Sequence, residues 1–322
     1  MRVLSDSDVA TVLELPALLP VVEGAFIKQG RGEVERPPRP HFPVGTGLEG
    51  DEPLGTGLTM PAYVHGDDYY ATKLASVHEG NATRGLPTVQ AQIAVTDART
   101  GEPAAMLAGT RVTNARTGCI GGLAANHLSS GVGPVDLGVV GAGTQARWQT
   151  RAIDAARGVD SVRVYSPSES REACAADLRD EGLDAEAVET AGAAVRDADV
   201  VVTTTTATEP VFPGAALAPG TLVIAVGAYT AEMRELDAET VARAAQLFAD
   251  VPAEAAQTGD FPDHDADGLT PLSAVFEGEV GRESPEEIIV VASVGSAVLD
   301  AASASSLFER ARAENVGTEL SL

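Results

Sequence analysis

Lysine is almost absent from this chain of 322 residues: only Lys28 and Lys73 occur, and every other basic residue is arginine. Basic charge of any kind is scarce, with 22 Lys and Arg against 47 Asp and Glu and a formal net charge of −25. Such a field repels phosphate backbones and anionic lipid heads, so neither nucleic acid nor a membrane surface is an expected partner. Cysteine is limited to Cys119 and Cys174, without a CxxC pair. That excludes a disulfide framework and a cysteine-based zinc site, and it suits a reducing compartment. The five histidines, His41, His65, His78, His127 and His264, form no HExxH or other i,i+4 pair, so no catalytic metal is expected. No apolar run approaches about 18 residues, and Asp6 and Asp8 stand where a secretory signal needs apolar side chains. The expected location is the cytoplasm, with no membrane span.

What is present is an ordinary globular composition, 44% hydrophobic, in a chain long enough for two domains with full apolar cores. The acid-rich, lysine-poor surface suggests a halophile. In molar salt the Debye length falls to roughly 3 Å, so dense carboxylates stay hydrated without strong self-repulsion.

Residues 5–29 carry an acid-capped helical pattern, which the prolines Pro37, Pro38, Pro40 and Pro43 follow. Between residues 57 and 107 come strand-like runs, YYATKLASV and TVQAQIAVTDA among them, separated by the turn signals HGDD and ARTGEP. A small-residue helix is expected over 113–128, joining two domains. From residue 135 the pattern changes. VDLGVV is an apolar strand feeding into GAGTQA and then a helix, and further strand-like runs at 161–165, 199–205, 221–227 and 246–250 alternate with helical patterns. Strand and helix in alternation imply a parallel α/β sheet of the doubly wound, Rossmann type, beside a mixed-sheet α+β domain. The expected domains are 1–118, completed by a C-terminal segment 298–322 with its helix over 301–315, and 119–297.

The glycine turn carries chemistry through its context. Gly141 permits a tight turn, Gly143 lets backbone approach a pyrophosphate, and the small Ala146 lets helix and strand pack closely. The N–H groups that begin the helix at Thr144 and Gln145 then face a phosphate. The pattern favours dinucleotide binding over an empty βα turn, while a methyltransferase loop is also compatible with it. The second strand of such a fold ends in an acid when NAD is preferred. Here it ends in Ser166, with Ser168 and Arg171 following. These three are either donors to a 2′-phosphate, which would favour NADP over NAD, or a polar loop opening a helix.

Lys73 lies in a half-apolar strand, where desolvation lowers an amine pKa toward the range useful for proton transfer; the alternative is a snorkelling edge lysine. Arg116, in TNARTG, interrupts a run of small residues with a planar fork suited to a carboxylate, or to an ion pair with one of the many acids.

Across its length the sequence resembles the ornithine cyclodeaminase/mu-crystallin family. The matching segments are MPAYV from Met60, TKL from Thr72, GLPTV from Gly85, ARTG from Ala115, GAGTQA, ATEPV from Ala207, AVGA from Ala225, REL from Arg234 and GRESPEE from Gly281. The resemblance implies a nicotinamide-dependent homodimer whose first segment forms the substrate and dimerisation domain, with the site between it and the Rossmann domain. It further implies that Arg39 and Arg116 hold a substrate carboxylate, that Lys73 contacts the reacting carbon's substituent or relays a proton, and that Thr88 lies nearby. Gly227 and Ala228 would sit close to the nicotinamide, with Thr205 and Thr206 at the neighbouring strand end. Two departures from the family pattern, Tyr229 in place of an acid after the AVG motif and Ala292 before SVG, weaken a cyclodeaminase assignment. The expected activity is NAD(P)-dependent oxidation or reduction at the C–N bond of a small amino or imino acid. The alternatives are an ornithine-type cyclodeaminase and a nicotinamide-dependent binder of small molecules.

Overall fold

Two sheets of different construction divide the chain, and the computed structural model describes residues 1–321, the side chain of Ala82 excepted. One compact unit comprises Met1–Arg116 together with the chain from Ser296 onward, and the other comprises Thr117–Gly295.

The first unit is built on a mixed sheet. Its strands run in the order Thr318–Glu319, Arg2–Leu4, Pro103–Ala108, Val89–Asp97, Tyr69–Val77, Gly55–Val64 and Val34–Glu35, with His41–Val44 also paired to Gly55–Val64. All pairs are antiparallel except Arg2–Leu4 with Pro103–Ala108. Alternation along the strands buries Met60, Ala62 and Val64, then Ala71 and Lys73, then Ile93 and Val95. The helix Ala297–Ala313 packs across the strands Gly55–Val64, Tyr69–Val77 and Val89–Asp97 and against the helix Leu15–Gly30. Alanine and serine make up about half of it, and its first two turns, Ala297 to Ala304, are buried throughout.

The single helix expected over 5–29 is two helices, Asp6–Val12 and Leu15–Gly30, bent by 91° at the break. Pro16 explains the break. It has no N–H to donate and sits in the first turn of the second helix, where none is needed, so the chain favours starting a new helix there. No single helix among the described residues is long and apolar enough to cross a membrane.

The second unit is a fully parallel sheet, ordered Ala185–Ala187, Val159–Tyr165, Val135–Val140, Val200–Thr203, Leu222–Ala225, Ile288–Ala292, Ala244–Ala249 and Thr270–Pro271. Ile288–Ala292, which the sequence pattern did not mark, occupies an inner position with all five residues buried. Its apolar run has no alternation to display, because both faces of a parallel sheet are covered. The chain starts at Val135–Val140, works outward to Ala185–Ala187, then returns to the other side at Val200–Thr203. That reversal makes a topological switch point, outside which α/β proteins bind their ligands. The helix Gly109–Leu128 begins four residues earlier than expected, directly off the strand Pro103–Ala108.

Candidate functional site

In the first unit, three charged side chains from distant parts of the chain meet in the core. Lys73, on the central strand Tyr69–Val77, donates from Nζ to Oδ2 of Asp300 at 2.5 Å. Arg116, near the middle of Gly109–Leu128, donates from Nε to Oδ1 of the same carboxylate at 2.9 Å. The three are 4%, 5% and 1% exposed for Lys73, Arg116 and Asp300, so these are buried charges that a single carboxylate bridges. Asp300 lies in the first turn of Ala297–Ala313, whose N-cap is Ser296, and the helix dipole there favours a carboxylate.

Burial dominates the electrostatics of the lysine and pushes its pKa down to about 8; Asp300 opposes this, and the nearby charges of Arg116 and Arg39 add to it. Burial pushes the Asp300 carboxyl up, but Arg116 and Lys73 outweigh it and hold the group below the ordinary carboxylate range. The cluster therefore presents a lysine near its proton-transfer range beside a permanently ionised acid. Arg39 belongs to it through its charge on Lys73.

Thr88 is not brought to this cluster. Lys73 pairs across the ladder with Ile93, and Thr88 accepts from the N–H of His78 five residues further along, about 17 Å away at strand spacing.

In the second unit, the glycine turn leaves the strand Val135–Val140 at the switch point. Gly141 has φ +110°, and a Cβ there would lie 2.6 Å from Oγ1 of Thr204. Gly143 is the N-cap of Thr144–Arg157 and makes no side-chain cap bond, while a Cβ on it would meet nothing within 4 Å. Ala146 is fully buried, so the helix packs tightly on the sheet. A helix N-terminus with no side-chain cap bond, an open approach at Gly143 and the buried Oγ1 of Thr204, which has no hydrogen-bond partner, fit a dinucleotide diphosphate.

At the end of the second strand, the hydroxyls of Ser166, Ser168 and Ser170 bond to one another at 2.8–3.3 Å. Arg171 donates to the carbonyls of Ser166 and Ser168 and pairs with Glu189 at 3.1 Å. Its charge is already met by a carboxylate.

Thr205, Thr206, Gly227 and Ala228 follow the strands Val200–Thr203 and Leu222–Ala225. Sequence reasoning picked these out but missed the acid that joins them. Glu235 is fully buried and accepts from Thr203 Oγ1, from the N–H of Thr205 and from the N–H of Gly227, at 2.8, 2.6 and 2.7 Å. Asp300 was missed as well, although a lone acid in the small-residue run GSAVLDAASA was the signal for it. Ala292 leaves the SVG turn without a local acid, and Asp250 supplies one, accepting from Ser293 Oγ and the N–H groups of Val294 and Gly295. No group of three or more potential metal-ligating side chains gathers among the described residues.

Comparison with known proteins finds similarity along nearly the whole chain. The family described as ornithine cyclodeaminase/mu-crystallin matches residues 1–315. A Delta(1)-pyrroline-2-carboxylate reductase of Bacillus cereus (strain ZK / E33L) is 33% identical over 289 residues, 86% of this chain and 88% of that protein. The structure of Thermococcus litoralis Delta(1)-pyrroline-2-carboxylate reductase in complex with NADH and L-proline is similar with a TM-score of 0.92 and 31% identity, covering 99% of this chain and all of that one. An archaeal alanine dehydrogenase dimer with bound NAD is similar with a TM-score of 0.89 and 28% identity, over 100% and 99% of the two chains.

Proposed function

The chain belongs to the ornithine cyclodeaminase/mu-crystallin family, and on that premise we propose that it reduces the C=N bond of a small cyclic α-imino acid. It is a nicotinamide-dependent oxidoreductase acting on the C–N bond of a small amino or imino acid. The observation that carries the narrower reading is the buried Lys73–Asp300–Arg116 cluster with the charge of Arg39 beside it. Two arginines and a tunable lysine are what a carboxylate next to an imine nitrogen calls for.

A nicotinamide dinucleotide, when bound, would supply the hydride that the α-carbon of the imino acid accepts. Arg39 and the terminal amino groups of Arg116 hold the substrate carboxylate. The Lys73 ammonium gives its proton to the imine nitrogen and regains one from solvent, while Asp300 stays ionised and keeps the lysine in place. In the second unit, Gly141, Gly143, Thr144, Gln145 and Ala146 would hold the diphosphate, and Thr205, Thr206, Gly227 and Ala228 would lie beside the nicotinamide.

The test is a panel of cyclic imino acids, 2-oxo acids with ammonia or methylamine, and ornithine, assayed with both dinucleotides. Stoichiometric consumption of reduced cofactor is expected with the five- or six-membered cyclic imines. Ornithine is expected to release no ammonia, since Tyr229 stands where a cyclodeaminase needs an acid to hold the amino group. Ammonia release from ornithine without net change in the cofactor would make the protein a lyase, and binding without turnover would make it a carrier. In the same panel, the loop of Ser166, Ser168 and Arg171 supports a preference for NADP(H). A 2′-phosphate has to draw Arg171 away from Glu189 to secure it, so a lower KM for NADH than for NADPH would mean that the pair holds.

The proposed assembly is a homodimer, and the proposed setting is a cytoplasm of high salt. With a net charge of −25, unscreened carboxylates repel one another on dilution, so the Tm is expected to rise between dilute buffer and molar KCl. A Tm that stays level across that range would remove the halophilic reading.

A further inference from the structure

We propose that Glu235 is a positioning residue for the cofactor, its carboxylate clamping the ends of two central strands so that the backbone at Thr205 and Gly227 keeps the shape the nicotinamide half requires. The inference rests on the assignment of Thr205 and Gly227 made above.

The geometry is that of a clamp. Oε1 accepts from the N–H of Thr205, and Oε2 accepts both from Thr203 Oγ1 and from the N–H of Gly227. The donors thus come from the strand Val200–Thr203 and its exit, and from the exit of Leu222–Ala225. Gly227 has no room for a side chain, because a Cβ would lie 2.0 Å from the Thr205 carbonyl oxygen and 2.6 Å from Cδ of Glu235. The two exits therefore approach each other closely, with only the carboxylate to satisfy their inward N–H groups. Glu235 is itself fixed, since Asp260 Oδ1 accepts from the backbone N–H groups of Glu235 and Leu236 at 2.6 and 2.8 Å.

A carboxylate facing three donors works only when ionised. Burial pushes Glu235 up to about 7 against the pull of Thr205 and Thr203, and the charge of Asp260 adds to the rise. Asp260, with Arg234 beside it, is the charged group that acts on Glu235. Above about 7 all three bonds are made. Below it the acid proton either displaces an N–H or turns the Thr203 hydroxyl into an acceptor, and in each case one donor proton is left buried without a partner.

The test is NADH binding to the whole protein across the neutral pH range, followed by nicotinamide fluorescence without substrate. The wild-type Kd is expected to rise about tenfold as pH falls through the Glu235 titration, the size expected from one buried hydrogen bond. Thr203→Val removes a donor that favours the carboxylate, so the midpoint of the same step is expected to move to higher pH. Glu235→Gln is expected to abolish the step and to lower kcat. If that variant does not fold, the wild type and Thr203→Val still decide. NADH binding with no pH step, or an unmoved midpoint in Thr203→Val, would overturn the clamp and leave the proposed function standing. Absence of binding by NADH and NADPH alike at every pH would overturn both.

Discussion

Replacing Lys73 with alanine is expected to lower kcat and kcat/KM for imine reduction together, by roughly two to four orders of magnitude, the range for removing a positioned general acid. The Kd for NADH should stay within about twofold of wild type, because loss of one transition-state contact leaves cofactor binding in the free enzyme untouched. Lys73 belongs to the first unit and the glycine turn to the second. The wild-type profile should carry the same signature. The proton donor is the ammonium, and its pKa is pushed down to about 8, so the reduction rate should fall as pH rises through that value. Lys73→Met, which keeps much of the side-chain volume, separates lost chemistry from lost packing. Near-normal kcat in both variants would remove the lysine from the reaction.

The second large effect is expected from Asp300→Asn. This change leaves Lys73 and Arg116 buried with no anion between them, and removing one partner of a buried ion pair costs about 3–5 kcal/mol. Denaturant unfolding would record that loss. The sign of its pH dependence follows from the lowered carboxyl of Asp300. A carboxyl held below its unfolded value stabilises the fold above the ordinary carboxylate range, and that contribution disappears as pH falls through the folded-state value. The acid side of the stability profile should therefore flatten in Asp300→Asn. Catalysis supplies an independent readout. Asp300 is what raises the lysine pKa against burial, so without it the fall in rate should move to lower pH. Reduced stability with an unmoved pH profile would make Asp300 a structural residue only.

How far these residues could be read in the sequence depended on how local their signals were. The glycine turn is local: strand, turn and helix follow within a few residues, and the backbone of Gly141 and Gly143 behaves as their spacing requires. Lys73 could be read because lysine is so rare in this chain. Arg116 was open to two readings, carboxylate fork or ion pair, and in the fold its Nε makes the ion pair with Asp300. Asp300 lies 227 residues from Lys73 and 184 from Arg116, and no short-range pattern connects them. Glu235 is similar, since nothing in Arg-Glu-Leu reveals that the acid lies beneath two strand ends.

The sequence by itself determined the parallel architecture of the second unit, the glycine turn, the acid-dominated surface and the family, because each is written in neighbouring residues or in total composition. Only the tertiary structure decided which charges are buried and which carboxylate answers them. Desolvation depends on what the chain packs over a side chain from elsewhere, so the lowered lysine and the raised Glu235 are properties of the fold and of no segment within it.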